Sequence, residues 1–521
     1  MDTRRLRGCS PAAAPLAAAG LTLLLAAAPA GAEETPDWRP AAIAALQAAP
    51  HDRIAEAAAL PRPPMPLPAP HPGIQPPAPV PPPPPPPALG SSPDPNGVMA
   101  TFTLAGSVPP GTNPFFESLG TNGRSCGSCH QPQDAWSVSA ADVQARFTAS
   151  SGNDPIFRPV DGAVCPTANV STPAAKQQAY SLLTSRGLIR IGMPVPSNTA
   201  FSVTVNSDPY HCTTSASTGL TSPTSGIVSV YRRPLPSTNL DYLSDIMWDG
   251  REPSLSQQAT DAVLGHEQAT TAPTSTQLAQ TVTFESGLFT AQLSDTGAGS
   301  LTASGATGGP TALANERTGF FFGVNDPFGG NPTHAPFNPN VFTAFASWSA
   351  NPSAVNANAQ SVARGEVLFN TFPINIAGVG GLNDVRHETT IKGSCSTCHD
   401  TPNAGDHSLS QFLDIGVAAS TPPPGLNVAG LPVFTLHCLS GTLAGENIST
   451  TDPGRALVTG NCADIGHFKV PTLRGLDARA PYFHNGSAPN LQAVVAFYNG
   501  RFKMNLNPQQ QQDLVNFLGS L

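Results

Sequence analysis

Charge is scarce in this sequence: Lys, Arg, Asp and Glu together make up 11% of 521 residues, and the net charge is −9. A protein that binds nucleic acid needs a basic face, so that class is excluded and no nucleic-acid partner is expected. Aromatic residues are few at 7%, with four Trp in all, so the surroundings of each Trp carry information. Cysteine is also sparse. Nine in a chain of this length are too few for a disulfide-dense scaffold, so any clustering among them points to chemistry. Long hydrophobic runs are missing as well. The Ala/Leu-rich stretch ending near Ala28 is short for a spanning helix.

That stretch follows Arg4, Arg5 and Arg7 and precedes Ala30-Gly31-Ala32, the layout of an export signal cleaved before Glu33. Residues 1–32 are thus read as a signal peptide and the mature chain as periplasmic or secreted. Cys9 leaves with the signal. Residues 33–95 form an Ala/Pro-rich segment, with a short helical pattern from Ala41 to Leu60 and proline concentrated between Pro61 and Pro87. Proline has no amide donor for helix or sheet, so this part is expected to be a stiff polyproline linker.

Two cysteine clusters stand out: Cys126-Gly-Ser-Cys129-His130 and Cys395-Ser-Thr-Cys398-His399. In C-x-x-C-H the two thiols lie on one turn, where each adds to a haem vinyl group, and the following imidazole lies under the iron. A zinc or dithiol site would not require His directly after the second Cys both times. Two covalently bound haem c groups are therefore expected, on Cys126, Cys129 and His130 and on Cys395, Cys398 and His399. Four cysteines remain, and the simplest of three connectivities pairs Cys165 with Cys212 and Cys438 with Cys462.

Helical patterns precede both motifs, at 113–119 and 361–370, whereas 196–240 and 295–340 are rich in Gly, Pro, Ser, Thr and Asn and read as long loops. The expected fold is mainly α: two cytochrome c-like haem domains, residues 96–355 and 356–521, with long loops and few short strands.

Phe468-Lys-Val-Pro-Thr-Leu-Arg-Gly475, Ala480-Pro-Tyr-Phe-His-Asn-Gly486, Val494-Val-Ala-Phe-Tyr-Asn499 and Met247-Trp-Asp-Gly-Arg251, with both haem motifs, resemble the bacterial dihaem cytochrome c peroxidase and MauG superfamily. The wide spacing of the haem motifs implies an enlarged member with insertions between them, Tyr at position 498, where the peroxidases have Met, matches the MauG type, and more distantly the chain is similar to dihaem rubber oxygenases. The resemblance implies a reactive N-terminal haem on His130 and an electron-reservoir haem on His399. It also implies a second iron ligand fourteen residues after His484, which is Tyr498. Met504 and His407 are the alternative ligands, and a merely packed Tyr498 is the bland one.

Trp248 matches the tryptophan that relays electrons between the haems, with Asp249 and Arg251 holding its turn. The family's distal Glu falls at Gln268, with Glu267 and His266 adjacent. Either neighbour is a candidate acid–base group, and His266 is alternatively an iron ligand. Arg233 replaces the Asn that binds calcium in the family, which disfavours that ion although the carbonyls of Arg479 and Pro481 remain. His484 is expected to be structural or to touch a haem edge.

The implied function is a haem-dependent oxidoreductase acting on hydrogen peroxide, or on oxygen plus electrons. Its partner would be a small c-type cytochrome, a copper protein or an organic substrate. The alternatives are a dihaem oxygenase cleaving a bulky organic substrate and a non-enzymatic electron-transfer cytochrome.

Overall fold

The computed structural model describes residues 90–104, 112–210 and 226–521. The expected signal peptide, the helical pattern at 41–60, the proline run and Cys212 lie outside the described residues. No helix among the described residues is long and apolar enough to cross a membrane.

Twelve α-helices are joined by five small sheets among the described residues. Helix is the larger component, as expected, but strands are more numerous than the loop-rich reading allowed. The largest sheet is antiparallel in the order Gly90–Asp94, Gly97–Thr103, Leu288–Asp295, Gly299–Ser300. Its register sets Thr101 opposite Thr290, whose hydroxyls share a 2.9 Å hydrogen bond. Trp136 Nε1 donates to Thr101 Oγ1 at 2.9 Å. The sheet thereby fixes the residue that will hold the His130 imidazole. Its first strand falls inside the segment expected to be linker.

The stretch 196–240 contains two strands, Phe201–Ser207 and Ile227–Arg232. Phe201–Ser207 pairs antiparallel with Val433–Cys438, burying Phe201, Val203, Phe434 and Leu436 together. That sheet is stapled by the disulfide Cys438–Cys462, worth about 3 kcal/mol for a loop of this size. Cys165 is also disulfide-bonded.

Two long helices define the largest core. Ala357–Thr371 begins at Asn356, whose side chain caps the Ala359 amide, and buries Val362, Glu366 and Phe369 on one face. Pro508–Gly519 begins with proline and a reciprocal Asn507/Gln510 capping box, and buries Leu514, Phe517 and Leu518. The helices cross at Gly365, where a Cβ would overlap the Asp513 carbonyl oxygen. Asp513 also takes bonds from Ser361 Oγ (2.5 Å) and Arg364 Nε (2.9 Å). Leu301, Phe342, Phe345 and Trp348 pack into this same core, so residues before the second haem motif help to wall it.

Candidate functional site

The two C-x-x-C-H motifs fold alike. Cys126–Cys129 is one helical turn with Ser125 at its N-cap, and Cys395–Thr397 is a 3₁₀ turn capped by Ser394. Ser128 and Thr397, three residues on, return a bond to the cap amide, so each turn is closed before the histidine. The next imidazole is then held from behind by a backbone carbonyl six residues later. His130 Nδ1 lies 2.8 Å from Trp136 O, and His399 Nδ1 lies 2.5 Å from Gly405 O. A donor at Nδ1 leaves Nε2 bare, the tautomer an iron ligand requires. Burial lowers the pKa of both rings, His399 to about 4, so they are neutral.

All four motif cysteines are free thiols. Burial pushes Cys395 and Cys398 up to about 12 and Cys126 well above its usual value. No cluster of metal-holding side chains occurs among the described residues.

A deep apolar cavity opens over the second motif. Cys395, Cys398 and His399 form one wall, with Phe369, Leu413, Val495, Leu514 and Leu518 around it. Tyr498 and Met504 line the same cavity. Tyr498 extends from helix Leu491–Arg501 between the rings of Phe497 and Phe502. Its hydroxyl makes no hydrogen bond with the described residues, and burial raises the phenol's pKa. His407 is engaged elsewhere: Nδ1 bonds Asp400 at 2.9 Å and Nε2 bonds Gln411 at 2.7 Å. With both nitrogens occupied, it has none to offer an iron.

Trp248 lines the cavity on the side of Arg233, Arg479 and His484. It is buried, and Nε1 donates to Arg233 O at 2.8 Å. The turn carrying it is locked by charge. Asp249 receives Arg232 Nη1 at 2.5 Å and Arg251 Nη1 at 2.9 Å, while Arg232 also clasps Asp452 at 2.6 and 2.9 Å. Burial disfavours the Asp249 anion, but the two guanidiniums outweigh it and hold the carboxyl at about 2.

Arg233 donates to the carbonyls of Arg186 (2.8 Å), Val138 (2.5 Å) and Arg479 (2.6 Å). One of the two oxygens left for a calcium ion is therefore bound to a guanidinium. His484 stacks on Phe468 at 3.8 Å, and its buried Nε2 has no hydrogen-bond partner among the described residues. The same is true of Arg479 Nε. An apolar cavity bearing two free thiols, a bare imidazole nitrogen and unpartnered cationic nitrogen at its edge fits a haem that Cys395, Cys398 and His399 would hold.

The first motif has polar company. Glu267 is buried, accepts from Leu119 N at 2.9 Å and lies 3.8 Å from Cys126 Sγ. Burial pushes it up to about 7. Gln268 faces outward, bonded to Asn122 at 3.3 Å. His266 is partly exposed and bonds Asp161 at 2.5 Å through Nδ1. Glu285 carries no signal in the sequence. It is buried near Cys126 with one oxygen unpartnered, and burial pushes its carboxyl up to about 8. Buried ionisable groups of this kind cluster at reactive sites, but Glu285 ends a helix in a Phe-Glu-Ser run that looks solvated from sequence.

A family description, "RoxA-like, cytochrome c-like", matches residues 467–503, the stretch holding His484 and Tyr498. The chain is 31% identical over 147 residues to a cytochrome-c peroxidase, IdrP1, of Denitromonas iodatirespirans, covering 25% of this chain and 37% of that protein. It is 44% identical over 70 residues to the cytochrome c551 peroxidase of Nitrosomonas europaea, covering 13% and 21%. The chain thus spans well under half the length of these curated relatives. A solved MauG-like protein associated with microbial copper homeostasis matches at 15% identity and a TM-score of 0.28, over 56% of this chain and 75% of that one. The sequence matches are thus to cytochrome c peroxidases and to a RoxA-like, cytochrome c-like family, each over a part of the chain.

Proposed function

We propose that this chain is a periplasmic dihaem c-type oxidoreductase of the cytochrome c peroxidase and MauG type. The observation that carries this reading is the repeated turn: two C-x-x-C-H segments, each with free thiols and an imidazole anchored at Nδ1 by a carbonyl six residues on. Haem c, when bound, supplies an iron whose oxidation state changes with peroxide or oxygen. The protein's own residues divide the remaining work between residues 96–355 and 356–521.

In the N-terminal part, Cys126, Cys129 and His130 hold the reactive group, and His266 and Glu267 are the groups able to move a proton beside it. In the C-terminal part, Cys395, Cys398 and His399 hold the reservoir group with Tyr498 as its second ligand. Leucine and phenylalanine walls exclude water there. Trp248, fixed by its bond to Arg233 and by the Arg232–Asp249 pair, offers an oxidisable indole for electron relay. The oxidant is hydrogen peroxide, or oxygen plus electrons, and the electrons come from a small cytochrome, a copper protein or an organic substrate.

The test is stopped-flow mixing of the purified ferric holoprotein with hydrogen peroxide, followed by reduced c-type cytochrome. A stoichiometric reaction at both haems and turnover of the cytochrome is the expected result. A protein inert to peroxide would overturn the reading and leave an electron carrier. Product from an organic substrate with oxygen alone would move it to the oxygenases.

A further inference from the structure

The proline run of the sequence has no part in the chemistry above. Pro81 to Pro87 are unbroken proline, followed by Ala88 and Leu89. Gly90, where the described residues begin, opens strand Gly90–Asp94 at the edge of the largest sheet. The point at which the run joins the fold is therefore known. Gly90 stands opposite Thr101 of strand Gly97–Thr103, and the pair is antiparallel.

One face of that sheet leads to an aromatic patch. Phe102 is buried with Tyr242, Phe289 and Leu313, and Phe320 packs against them. The rings continue outward, Phe289 to Tyr242 at 6.4 Å between centroids, Tyr242 to Phe320 at 5.8 Å and Phe320 to Phe322 at 6.2 Å. The outer members reach solvent: Phe321 and Phe322 are 38% and 42% exposed, and Leu104, on the Phe102 face of the sheet, is 45% exposed. No other Phe among the described residues is as open. Arg317, whose guanidinium lies 5.9 Å from the Phe289 ring centroid, sets N–H donors beside the patch.

We propose that this patch is the docking site of the chain's own Pro81–Pro87 segment. The register of Gly90 against Thr101, carried back along the chain, sets Leu89 against Phe102 and Pro87 against Leu104. Facing residues of a strand pair lie on the same side of a sheet, so Leu89 and Pro87 turn toward the aromatic face. An edge strand is where proline is tolerated.

A polyproline II helix rises about 3.1 Å per residue with three residues per turn, so the run spans roughly 20 Å and offers one ring in three to an aromatic surface. It arrives already ordered, and little entropy is lost when it docks. Its carbonyls have no amide partners of their own, and Arg317 supplies donors for them. Docked in this way the run is a strap across the sheet, and the residues before Pro81 depart from a fixed point.

The experiment is timed elastase digestion of the haem-loaded protein, with cleavage after Ala88 read by mass spectrometry, beside hydrogen exchange of the peptide 318–324. Phe321→Ser with Phe322→Ser should raise the cleavage rate about tenfold. Serine in place of Pro81 to Pro87 should raise exchange in 318–324 by a similar factor of about ten. Leu439→Ser, an exposed position beside the sheet that contains Val433–Cys438, should change neither.

An unchanged cleavage rate or unchanged exchange in the two patch experiments would overturn the proposal. Equal acceleration by Leu439→Ser would do the same, because the effect would not be local to the patch. Protection of 318–324 that fades on dilution would assign the run to a second copy of the chain and also overturn it.

Discussion

Around Cys126 and His130 the titratable side chains Glu267, Glu285, His266, Asp161 and Arg124 stand beside an aromatic cluster of Phe115, Phe116, Trp136 and Phe284, whereas around Cys395 and His399 only Asp400 and His407 act closely and the wall is a wide apolar one of Leu, Val, Phe, Met504 and Tyr498. The attachment turns themselves are almost interchangeable, down to the carbonyl six residues beyond each histidine. Like turns are thus set in surroundings that differ chiefly in how many titratable groups they hold. Polar, titratable surroundings suit proton movement beside a reactive group, and an apolar cavity with an unpartnered phenol suits a closed, ligated iron. On the proposed reading, the division of labour would come from what packs on each turn, not from the turn.

Removing the attachment cysteines breaks the comparison most severely. Cys395→Ser with Cys398→Ser should lose one of two haems by pyridine haemochrome assay. It should also lower the melting temperature more than Cys126→Ser with Cys129→Ser, because the second cavity lies within the largest core. Equal losses would mean that the cavity is not filled by haem.

Next in size is the network that holds the Trp248 turn. Asp452→Ala strips the doubly bonded partner from buried Arg232 and should cost about 3–5 kcal/mol in denaturant unfolding. Its partner Asp249 has a folded-state pKa near 2, depressed from 3.8. That pair's stabilisation is complete above about pH 4 and disappears as pH falls through about 2. Asp249→Asn should flatten this acid limb.

Glu285 has the opposite sign. Its carboxyl is raised from 4.5 to about 8, so its neutral form is favoured in the fold and stability declines as pH rises between those values. Glu285→Gln should remove that decline, a gain on the order of 4 kcal/mol at pH 8 and none at pH 4. Parallel pH–stability curves for the two proteins would show that Glu285 is solvated.

Tyr498→Phe should be the mildest change in stability, at most about 1 kcal/mol. The spectrum and potential of one haem should shift while the other stays as it was. An unchanged spectrum would remove Tyr498 from the ligand set and leave Met504, which lines the same cavity.

Much of the site was legible because its chemistry is local. Cys126 to His130 and Cys395 to His399 lie on single turns, and Tyr498 is reached by counting fourteen residues on from His484. Helix 357–371 was anticipated at its core-facing part. What stayed hidden depends on contacts between distant segments. Phe201–Ser207 becomes a strand by pairing with Val433–Cys438, over two hundred residues away, and its polar flanks read as loop. Asp161, Glu285 and Arg232 resemble surface charges until tertiary packing buries them. Of the three adjacent candidates, the backbone turned Glu267 inward and Gln268 outward, and no local pattern announces that turn.

The measurement that tests the asymmetry most directly is low-temperature EPR of the fully oxidised holoprotein. The account predicts one high-spin signal from the open iron on His130 and one low-spin signal from the iron capped by Tyr498 on His399. Two low-spin signals, with both irons closed at rest, would contradict it.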